Sequence, residues 1–261
     1  MNLREKHNLR IKKVRLLELE TVIDNLPADA GNKSLLEIGA GAGFQLAVLK
    51  NYFKEVKGID IPLSNYTNSR VAEIIDYDGK IIPFPNQSFD VIFSSNTLEH
   101  IADLEGMNKE IKRVLKQGGI AVHVVPTSVW KFWNTLLHYP MLFQSIRFYF
   151  FRKKESKDLG EKPVLAEGTL TPKKRNIGLL LFNVIFPPLH GERGNRFTEI
   201  FYFRPAWWRT FFKKDGWDIV KSKNAGVYYS AHFMLPNANR LKLGKWLGSS
   251  CMILIVSPSK K

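Results

Sequence analysis

The sequence has very little cysteine, no long apolar run and no apolar leader. Its one cysteine, Cys251, has no partner within the chain for a disulfide. The charged start, residues 1–6, lacks the apolar stretch of a secretory signal. The longest apolar candidate, 177–189, falls short of the roughly 18 residues that cross a bilayer and contains Pro187 and Pro188. We therefore expect a cytoplasmic protein without a membrane span.

Acidic residues are scarce relative to basic ones. The chain has 39 Lys and Arg against 24 Asp and Glu, a formal net charge of +15, which predicts attraction to an anionic partner. Nucleic acid, an acidic membrane surface and a phosphorylated substrate all satisfy that condition. The histidines are scattered and no Cys/His spacing resembles a zinc site, so we expect no metal.

The order of helical and extended patterns indicates an α/β fold. Residues 8–26 have apolar side chains at mostly helical spacings, with Pro27 just beyond, which predicts an amphipathic N-terminal helix. Short apolar runs predict strands at 35–38, 56–59, 74–75, 91–94 and 120–125. Strands of this kind, separated by helices, indicate a parallel sheet covered on both faces. Pro205 begins a predicted helix that runs through Lys214, and two more strands are predicted at 217–222 and 251–257.

A glycine-rich turn follows the first predicted strand. Gly39, Gly41 and Gly43 lie between Ile38 and a predicted helix over 44–52. Glycines there let the backbone pass close to a ligand. The dinucleotide fingerprint has its third glycine one position later, which disfavours NAD. The alternative interpretation is a simple turn from strand to helix.

Acidic residues follow the next two strands. Asp60 ends the second strand, where a carboxylate can accept hydrogen bonds from both ribose hydroxyls of a nucleoside. Asp78 and Gly79 follow the third strand and precede the segment Pro83-Phe84-Pro85. Solvated loop aspartates are the alternative at both positions. The order of these strand ends favours a nucleoside site.

Five linked motifs resemble the class I S-adenosylmethionine-dependent methyltransferase family, of the type that includes many small-molecule and lipid methyltransferases. They are Leu-Glu-Ile-Gly-x-Gly-x-Gly at 36–43, the acidic end of the second strand, Pro-Phe-Pro-x-x-Ser-Phe-Asp at 83–90, Asn-Thr-Leu-Glu-His-Ile at 96–101 and the segment 110–119. The resemblance implies a Rossmann-like, doubly wound sheet of seven mostly parallel strands with an antiparallel last strand. It also implies an N-terminal helix and an insertion after the fifth strand.

The resemblance also implies the cofactor, S-adenosylmethionine, and the residues that bind it. Glu37, Gly39, Gly41 and Gly43 would surround its methionine part, Asp60 its ribose, Asp78 and Gly79 its adenine edge, while Asn96 would close the methionine end. Ala42 departs from the hydroxyl residue that the family often has there. In this interpretation 1–261 is one domain, with a cofactor-binding half at 33–125, an insertion or substrate cap at 126–200 and a C-terminal part at 201–261.

Catalysis requires little more than alignment, because the methyl group on a sulfonium is already activated. His100, after the fourth strand, is the best-placed candidate for a general base, and His190 is a candidate substrate residue. For His100 the alternative is a residue that caps or orients the next helix, and we expect Glu99 to be structural. Arg193, with Arg196 and Arg204 nearby, would suit a phosphate or carboxylate, unless these are solvated surface charges.

The insertion at 126–200 points to the acceptor. Aromatic residues interleaved with Lys and Arg between Trp130 and Arg175, and an apolar run at 179–182, suit a segment lying on an anionic membrane surface. A cap over the site or a dimer interface explains the composition equally well, and single-stranded nucleic acid is disfavoured because no nucleic-acid module accompanies it. We therefore hypothesise methyl transfer to an oxygen of a small, lipid-linked or glycan-precursor acceptor at the inner membrane face. A non-catalytic scaffold that binds the nucleoside cofactor, and a nucleic-acid methyltransferase, are the alternatives, and the oligomeric state is open.

Overall fold

A computed structural model describes residues 3–62, 64, 66–158, 185–187, 189–230 and 236–259. Its strands are β1 (Ser34–Ile38), β2 (Glu55–Asp60), β3 (Ile75–Asp76), β4 (Phe89–Ser95), β5 (Leu115–Pro126), β6 (Trp217–Asn224) and β7 (Cys251–Pro258). Its α-helices are α1 (Leu3–Ile23), α2 (Phe44–Leu49), α3 (Leu104–Val114), α4 (Ser128–Asp158), α5 (Glu199–Tyr202), α6 (Pro205–Lys214) and α7 (Asn237–Leu247). Short 3-10 helices occupy Ala30–Asn32, Thr67–Ser69 and Leu98–His100.

The described strands form one sheet in the order β3-β2-β1-β4-β5-β7-β6. Neighbours from β3 to β5 pair in parallel, whereas β7 runs antiparallel to both β5 and β6. The order reverses between β1 and β4, because β2 and β3 extend the sheet on one side of β1 and the later strands extend it on the other. Ligands of open α/β sheets bind in the crevice at such a reversal, beyond the carboxyl ends of the strands.

Helices cover both faces of the sheet, and the strands supply apolar side chains to each face in turn. Leu36 packs on one face of the sheet, in a core formed with residues of α3 and α6. Trp208 and Phe212 of α6 belong to this core. Leu35, the neighbour of Leu36, packs on the opposite face with Leu17 and other residues of α1. Since successive side chains of a strand point to opposite faces, a strand buried on both sides has a continuous apolar run. The prediction of a doubly wound, mostly parallel sheet with an antiparallel last strand is confirmed.

The helix after β5 is the largest departure from the sequence prediction. The aromatic residues after Pro126 have no clean period, so the sequence indicated only an irregular insertion, yet Ser128–Asp158 forms one helix of 31 residues. Pro140 lies inside it, and proline in a helix interior is normally a strong sign against a helix. The predicted apolar contact at 179–182 and residues 159–175 of the basic, aromatic segment lie outside the described residues.

Other differences concern helix ends. The N-terminal helix begins earlier and ends earlier than 8–26, and α2 stops at Leu49 rather than at Tyr52. Helix α6 matches its predicted range, Pro205–Lys214. The sequence did not predict α7, whose interior contains Gly244, a residue that weakens an isolated helix.

Candidate active site

The turn after β1 is built on glycines whose backbone conformation other residues rarely adopt. Gly39 and Gly41 have φ of 71° and 57°, and a Cβ at Gly39 would lie 2.4 Å from the side chain of Thr97. Gly43, with φ of 80°, precedes α2, and a Cβ there would lie 2.9 Å from the Cβ of Ala72. Gly39 and Gly41 line the cleft described next, whereas Gly43 is packed against Ala72 behind it.

Two adjoining cavities form a cleft at the carboxyl ends of β1, β2 and β4. Their volumes are about 390 and 1010 Å³. They share six lining residues, Gly39, Gly41, Tyr66, Asn96, His100 and His190. The larger cavity is also lined by Asp60, Asp78 and Gly79, and the smaller by Arg15 and Ala42. The cleft therefore lies at the reversal of strand order, where a nucleoside is expected.

Two acidic residues lie at the ends of β1 and β2. Asp60 is almost buried, and its Oδ1 accepts a hydrogen bond of 2.9 Å from the backbone N–H of Ile61. Glu37 is buried behind the glycine turn, and within the described part of the chain its Oε2 has no hydrogen-bond partner. Burial and the charge of Asp60 raise the pKa of Glu37 to about 8. An unpartnered buried carboxyl group of this kind is suited to a hydrogen-bond donor supplied by a ligand.

Asp78 and Gly79 form a turn at the edge of the larger cavity. The carboxylate of Asp78 accepts hydrogen bonds of 2.9 and 2.8 Å from the backbone N–H groups of Ile81 and Lys80. These bonds lower the pKa of Asp78, so it is ionised at neutral pH. The turn brings backbone and carboxylate groups to the larger cavity of the cleft.

The segment that follows this turn is tied to α3. Arg113 donates hydrogen bonds to the backbone carbonyls of Ile82 and Phe84, both 2.8 Å, and pairs with Glu110 at 2.7 Å. Glu110 in turn accepts a bond of 2.9 Å from the N–H of Ile82. The residues at 82–85 and 110–113 were recognised as separate motifs, and the structure shows that each holds the other in place.

Asn96 is fixed by a polar network that reaches the N-terminal helix. Its backbone has φ of 51°, and its side-chain oxygen accepts a hydrogen bond of 3.1 Å from the hydroxyl of Tyr229. Its amide nitrogen donates to Glu18 at 3.3 Å, and Glu18 pairs with Arg15 at 2.7 Å. Burial opposes the charge on Arg15, but Glu18 outweighs it and the pKa of Arg15 is raised. Asn96 is thus held rigidly between the two cavities.

Glu99, His100 and His190 meet at the other end of the cleft. The rings of His100 and His190 have centroids 4.7 Å apart, and the ring of Trp130 lies 4.4 Å from that of His190. Desolvation and Arg15 lower the pKa of His100, and desolvation lowers the pKa of His190 to about 3, although both side chains keep contact with solvent. Both imidazoles are therefore neutral near pH 7. Burial raises the pKa of Glu99 to about 8.

Comparison with known proteins places this cleft in a family. A model of the methyltransferase domain matches residues 36–123. Residues 36–123 form a class I S-adenosylmethionine-dependent methyltransferase domain. The biotin biosynthesis bifunctional protein BioHC of Cellvibrio japonicus is 34% identical over 105 residues, which cover 38% of this chain and 21% of that protein. Methyltransferase YcgJ of Bacillus subtilis is 31% identical over 94 residues, 33% of this chain and 37% of that protein.

Solved structures agree on the fold of the methyltransferase domain. The structure of an S-adenosylmethionine-dependent methyltransferase from Mesorhizobium loti aligns with a TM-score of 0.52 and 17% identity, covering 92% of this chain and 97% of that one. The sequence likeness to the two curated relatives spans well under half of their length. The family model covers residues 36–123, which lie in the cofactor half.

The residues of the methyltransferase domain fit the cofactor. The unpartnered Oε2 of Glu37 and the almost buried carboxylate of Asp60 lie at adjacent strand ends, where they would accept hydrogen bonds from the cofactor's ammonium and ribose hydroxyl groups. Asp78 and Gly79 would lie at the adenine edge, and Asn96 at the methionine end. Six of the eight residues predicted to bind the cofactor line the cleft, and Glu37 and Gly43 lie just behind its lining.

Several residues that line the cleft, or that hold its lining in place, were not predicted from the sequence. Arg15 and Glu18 lie on α1, and Tyr66 and Tyr229 lie on connecting segments without any motif. An Arg–Glu pair three residues apart is common on exposed helix faces, so the spacing of Arg15 and Glu18 gave no indication that Glu18 is fully buried. Its burial depends on contacts with parts of the chain some 80 and 210 residues away.

The arginines that were predicted to bind an anionic acceptor have structural contacts. Arg193 donates hydrogen bonds to the carbonyls of Leu98 and Ile101, at 3.3 and 2.6 Å. Arg196 donates to the carbonyl of Phe186 at 2.8 Å.

Among the helices that the structure describes, none is long and apolar enough to cross a membrane.

Proposed function

We propose that the chain transfers the methyl group of S-adenosylmethionine to an oxygen of a small, lipid-linked or glycan-precursor acceptor at the inner face of a membrane. The observation that carries this proposal is the cleft. Its larger cavity has the acidic strand ends expected for the nucleoside, and Asn96, His100 and His190 line both cavities. A cofactor bound at the strand ends would direct its methionine end towards these histidines.

The chemistry required of the chain is alignment, proton removal and exclusion of water. When bound, the cofactor supplies a methyl group whose bond to sulfur breaks, with its electron pair going to sulfur, as the acceptor oxygen bonds the methyl carbon. His100 and His190 are neutral imidazoles that line the cleft, and His100 is the better acceptor for the hydroxyl proton that the reaction releases, because desolvation lowers the pKa of His190 to about 3. Asn96, held by Glu18 and Tyr229, fixes the wall between the cavities.

The membrane part of the proposal is supported by one face of α4. Phe132, Leu136, Tyr139 and Phe143 are each 45 to 69% exposed, and their spacings of four, three and four residues place them along one stripe about 17 Å long. The same helix continues into Arg152, Lys153 and Lys154. An apolar stripe followed by cations suits an anionic bilayer surface.

Transfer of a labelled methyl group tests the activity. Intact protein would be incubated with S-adenosylmethionine tritiated in the methyl group, together with membrane lipids or a water-soluble metabolite fraction from the same cells. We expect label in the lipid fraction and no transfer by Asp60→Ala. A parallel incubation would contain RNA in place of the lipids. Label that appears only in the RNA, or transfer that is unchanged in Asp60→Ala, would contradict the proposal.

Flotation with vesicles tests the membrane contact separately. We expect binding to vesicles that contain phosphatidylglycerol, little binding to phosphatidylcholine alone, and loss of binding in the double variant Phe132→Glu, Phe143→Glu. Val220→Glu is the matched control, because Val220 is 60% exposed on β6, away from the stripe. Equal binding by the double variant and the control would refute the membrane contact, whatever the activity assay shows.

A further inference from the structure

We propose that Glu99, His100 and His190 bind a divalent first-row transition-metal ion at the acceptor end of the cleft. Each of these residues offers a ligand atom, and all three atoms lie within 4.8 Å of one another. Oε1 of Glu99 is 3.8 Å from Nε2 of His100. Two ligands about 2 Å from a tetrahedral ion are about 3.3 Å apart, so small side-chain rotations bring these atoms to bonding distance.

The carboxylate of Glu99 lacks the partners that a buried acidic group normally has. Its side chain is fully buried, and neither carboxylate oxygen has a hydrogen-bond partner in the part of the chain that the structure describes. Buried polar atoms in proteins nearly always have a partner, and a bound ion is one of the explanations when none is seen. A metal ion between Glu99 and the two imidazoles would satisfy both oxygens and the charge.

The cationic side chains around the cluster are engaged with other groups. Arg15 pairs with Glu18 at 2.7 Å, and Lys131 pairs with Glu199 at 2.5 Å. Arg193 donates to backbone carbonyls on either side of Glu99. The carboxylate of Glu99 is therefore left to share an ion with the two histidines.

Backbone contacts hold the two parts of the cluster together across 90 residues of sequence. The N–H of Glu192 donates to the carbonyl of Glu99 at 2.9 Å. Glu199 accepts hydrogen bonds of 2.7 and 2.5 Å from the N–H groups of His190 and Gly191. A Cβ at Gly191 would lie 2.9 Å from the carbonyl oxygen of Glu99, so glycine permits this close approach. His190 is thereby fixed beside His100 before any ligand arrives.

The ligand set defines the class of ion. Two imidazole nitrogens and one carboxylate suit Zn²⁺, Fe²⁺, Co²⁺ or Mn²⁺, whereas Ca²⁺ and Mg²⁺ prefer oxygen ligands only. Three protein ligands leave coordination positions open, and both histidines line the cleft. The role of the ion in catalysis rests on the proposed methyl transfer. In that reaction, an acceptor oxygen would occupy one of the open coordination positions of the ion. The histidines would then act as ligands, and the ion would lower the pKa of the coordinated hydroxyl.

Metal titration of the full chain tests the site directly. Protein stripped with a chelator would be titrated with Zn²⁺ by calorimetry and with Co²⁺ by visible absorption, which reports ligand number and type. We expect one ion per chain with micromolar or tighter affinity. His100→Gln, His190→Gln and Glu99→Gln should each weaken binding by about 100-fold or more, and His138→Gln on α4 should bind as the intact chain does.

Binding of S-adenosylhomocysteine by the same variants separates this inference from the proposed function. Retained cofactor binding shows that a variant is folded, and if one substitution unfolds the chain the other two decide. If the intact chain binds the cofactor but no metal, the metal site is wrong and the proposed function stands. The same holds if the histidine variants bind the metal as tightly as the intact chain does. Metal binding without cofactor binding would overturn the proposed function and leave the site standing.

Discussion

Binding of S-adenosylhomocysteine at about pH 6 should release close to one proton from Glu37. This residue is buried at the end of β1 with an unpartnered Oε2, and burial together with Asp60 raises its pKa to about 8. The ammonium group of the cofactor's amino-acid part would supply the missing partner. A positive donor favours the ionised carboxylate, so the pKa of Glu37 should fall when the cofactor binds.

The size of the effect follows from the two pKa values. With a pKa of about 8, Glu37 is about 99% protonated at pH 6. If the bound cofactor returns the pKa of Glu37 to its ordinary value of 4.5, the carboxyl group becomes about 97% ionised. The difference is close to one proton, and affinity should rise about tenfold, or about 1.4 kcal/mol, between pH 6 and pH 7. The ligand's own amino group stays protonated at pH 6, since such groups have pKa values of about 8.

Calorimetry in two buffers of different ionisation enthalpy measures the released protons. The slope of the observed enthalpy against the buffer's ionisation enthalpy gives their number. Glu37→Gln keeps the shape of the side chain but cannot titrate in this range, so it should bind with almost no proton release. Tight binding by the intact chain without proton release, or equal release by the variant, would refute the role assigned to Glu37.

Three further predictions concern the structure around the cleft. Desolvation lowers the pKa of buried His123 to about 3, so the unfolded chain binds the proton first as pH falls below 6.5, and this residue alone contributes a stability loss of about 3 kcal/mol between pH 7 and 4. In urea titrations the loss of stability measured for His123→Gln should be smaller than that of the intact chain by this contribution, and an equal loss would contradict the prediction. Gly39→Ala should destabilise more in the same assay than Gly118→Ala, which carries only the backbone strain of about 1 kcal/mol, because a Cβ at Gly39 meets Thr97. Glu199→Gln should speed hydrogen exchange at 190–191, and unchanged exchange would show that Glu199 does not anchor that segment.

The strands were predictable because each has its own apolar signal. Every residue of β1 is buried, and such continuous runs between helical stretches are typical of a sheet covered on both faces. The five motifs then gave, through the family they resemble, a seven-stranded, mostly parallel sheet with an antiparallel last strand. Helix α4 could not be predicted in this way. Its apolar residues lie on several sides, and one stripe remains exposed, so no single periodic face marks the helix.

The predicted cofactor residues could be located in the sequence for a related reason, since they lie in short segments at the ends of strands. The partners that hold them were not. Asn96 depends on Glu18 and Tyr229, which lie 78 and 133 residues away, and His190 reaches His100 only through backbone contacts of the later segment. The histidines were interpreted as scattered, and Glu99 as structural, because sequence separation conceals which side chains the fold brings together.

The most direct test of the cofactor site is the binding of S-adenosylmethionine to the intact chain, to Asp60→Ala and to Asp76→Ala. Asp76 ends the neighbouring strand, pairs with Arg70 at 2.6 Å and lies outside the lining of the cleft, so it is the matched control. We predict micromolar binding by the intact chain and by Asp76→Ala, and no measurable binding by Asp60→Ala. Absence of binding by the intact chain, or equal binding by all three proteins, would contradict the assignment of this cleft to S-adenosylmethionine.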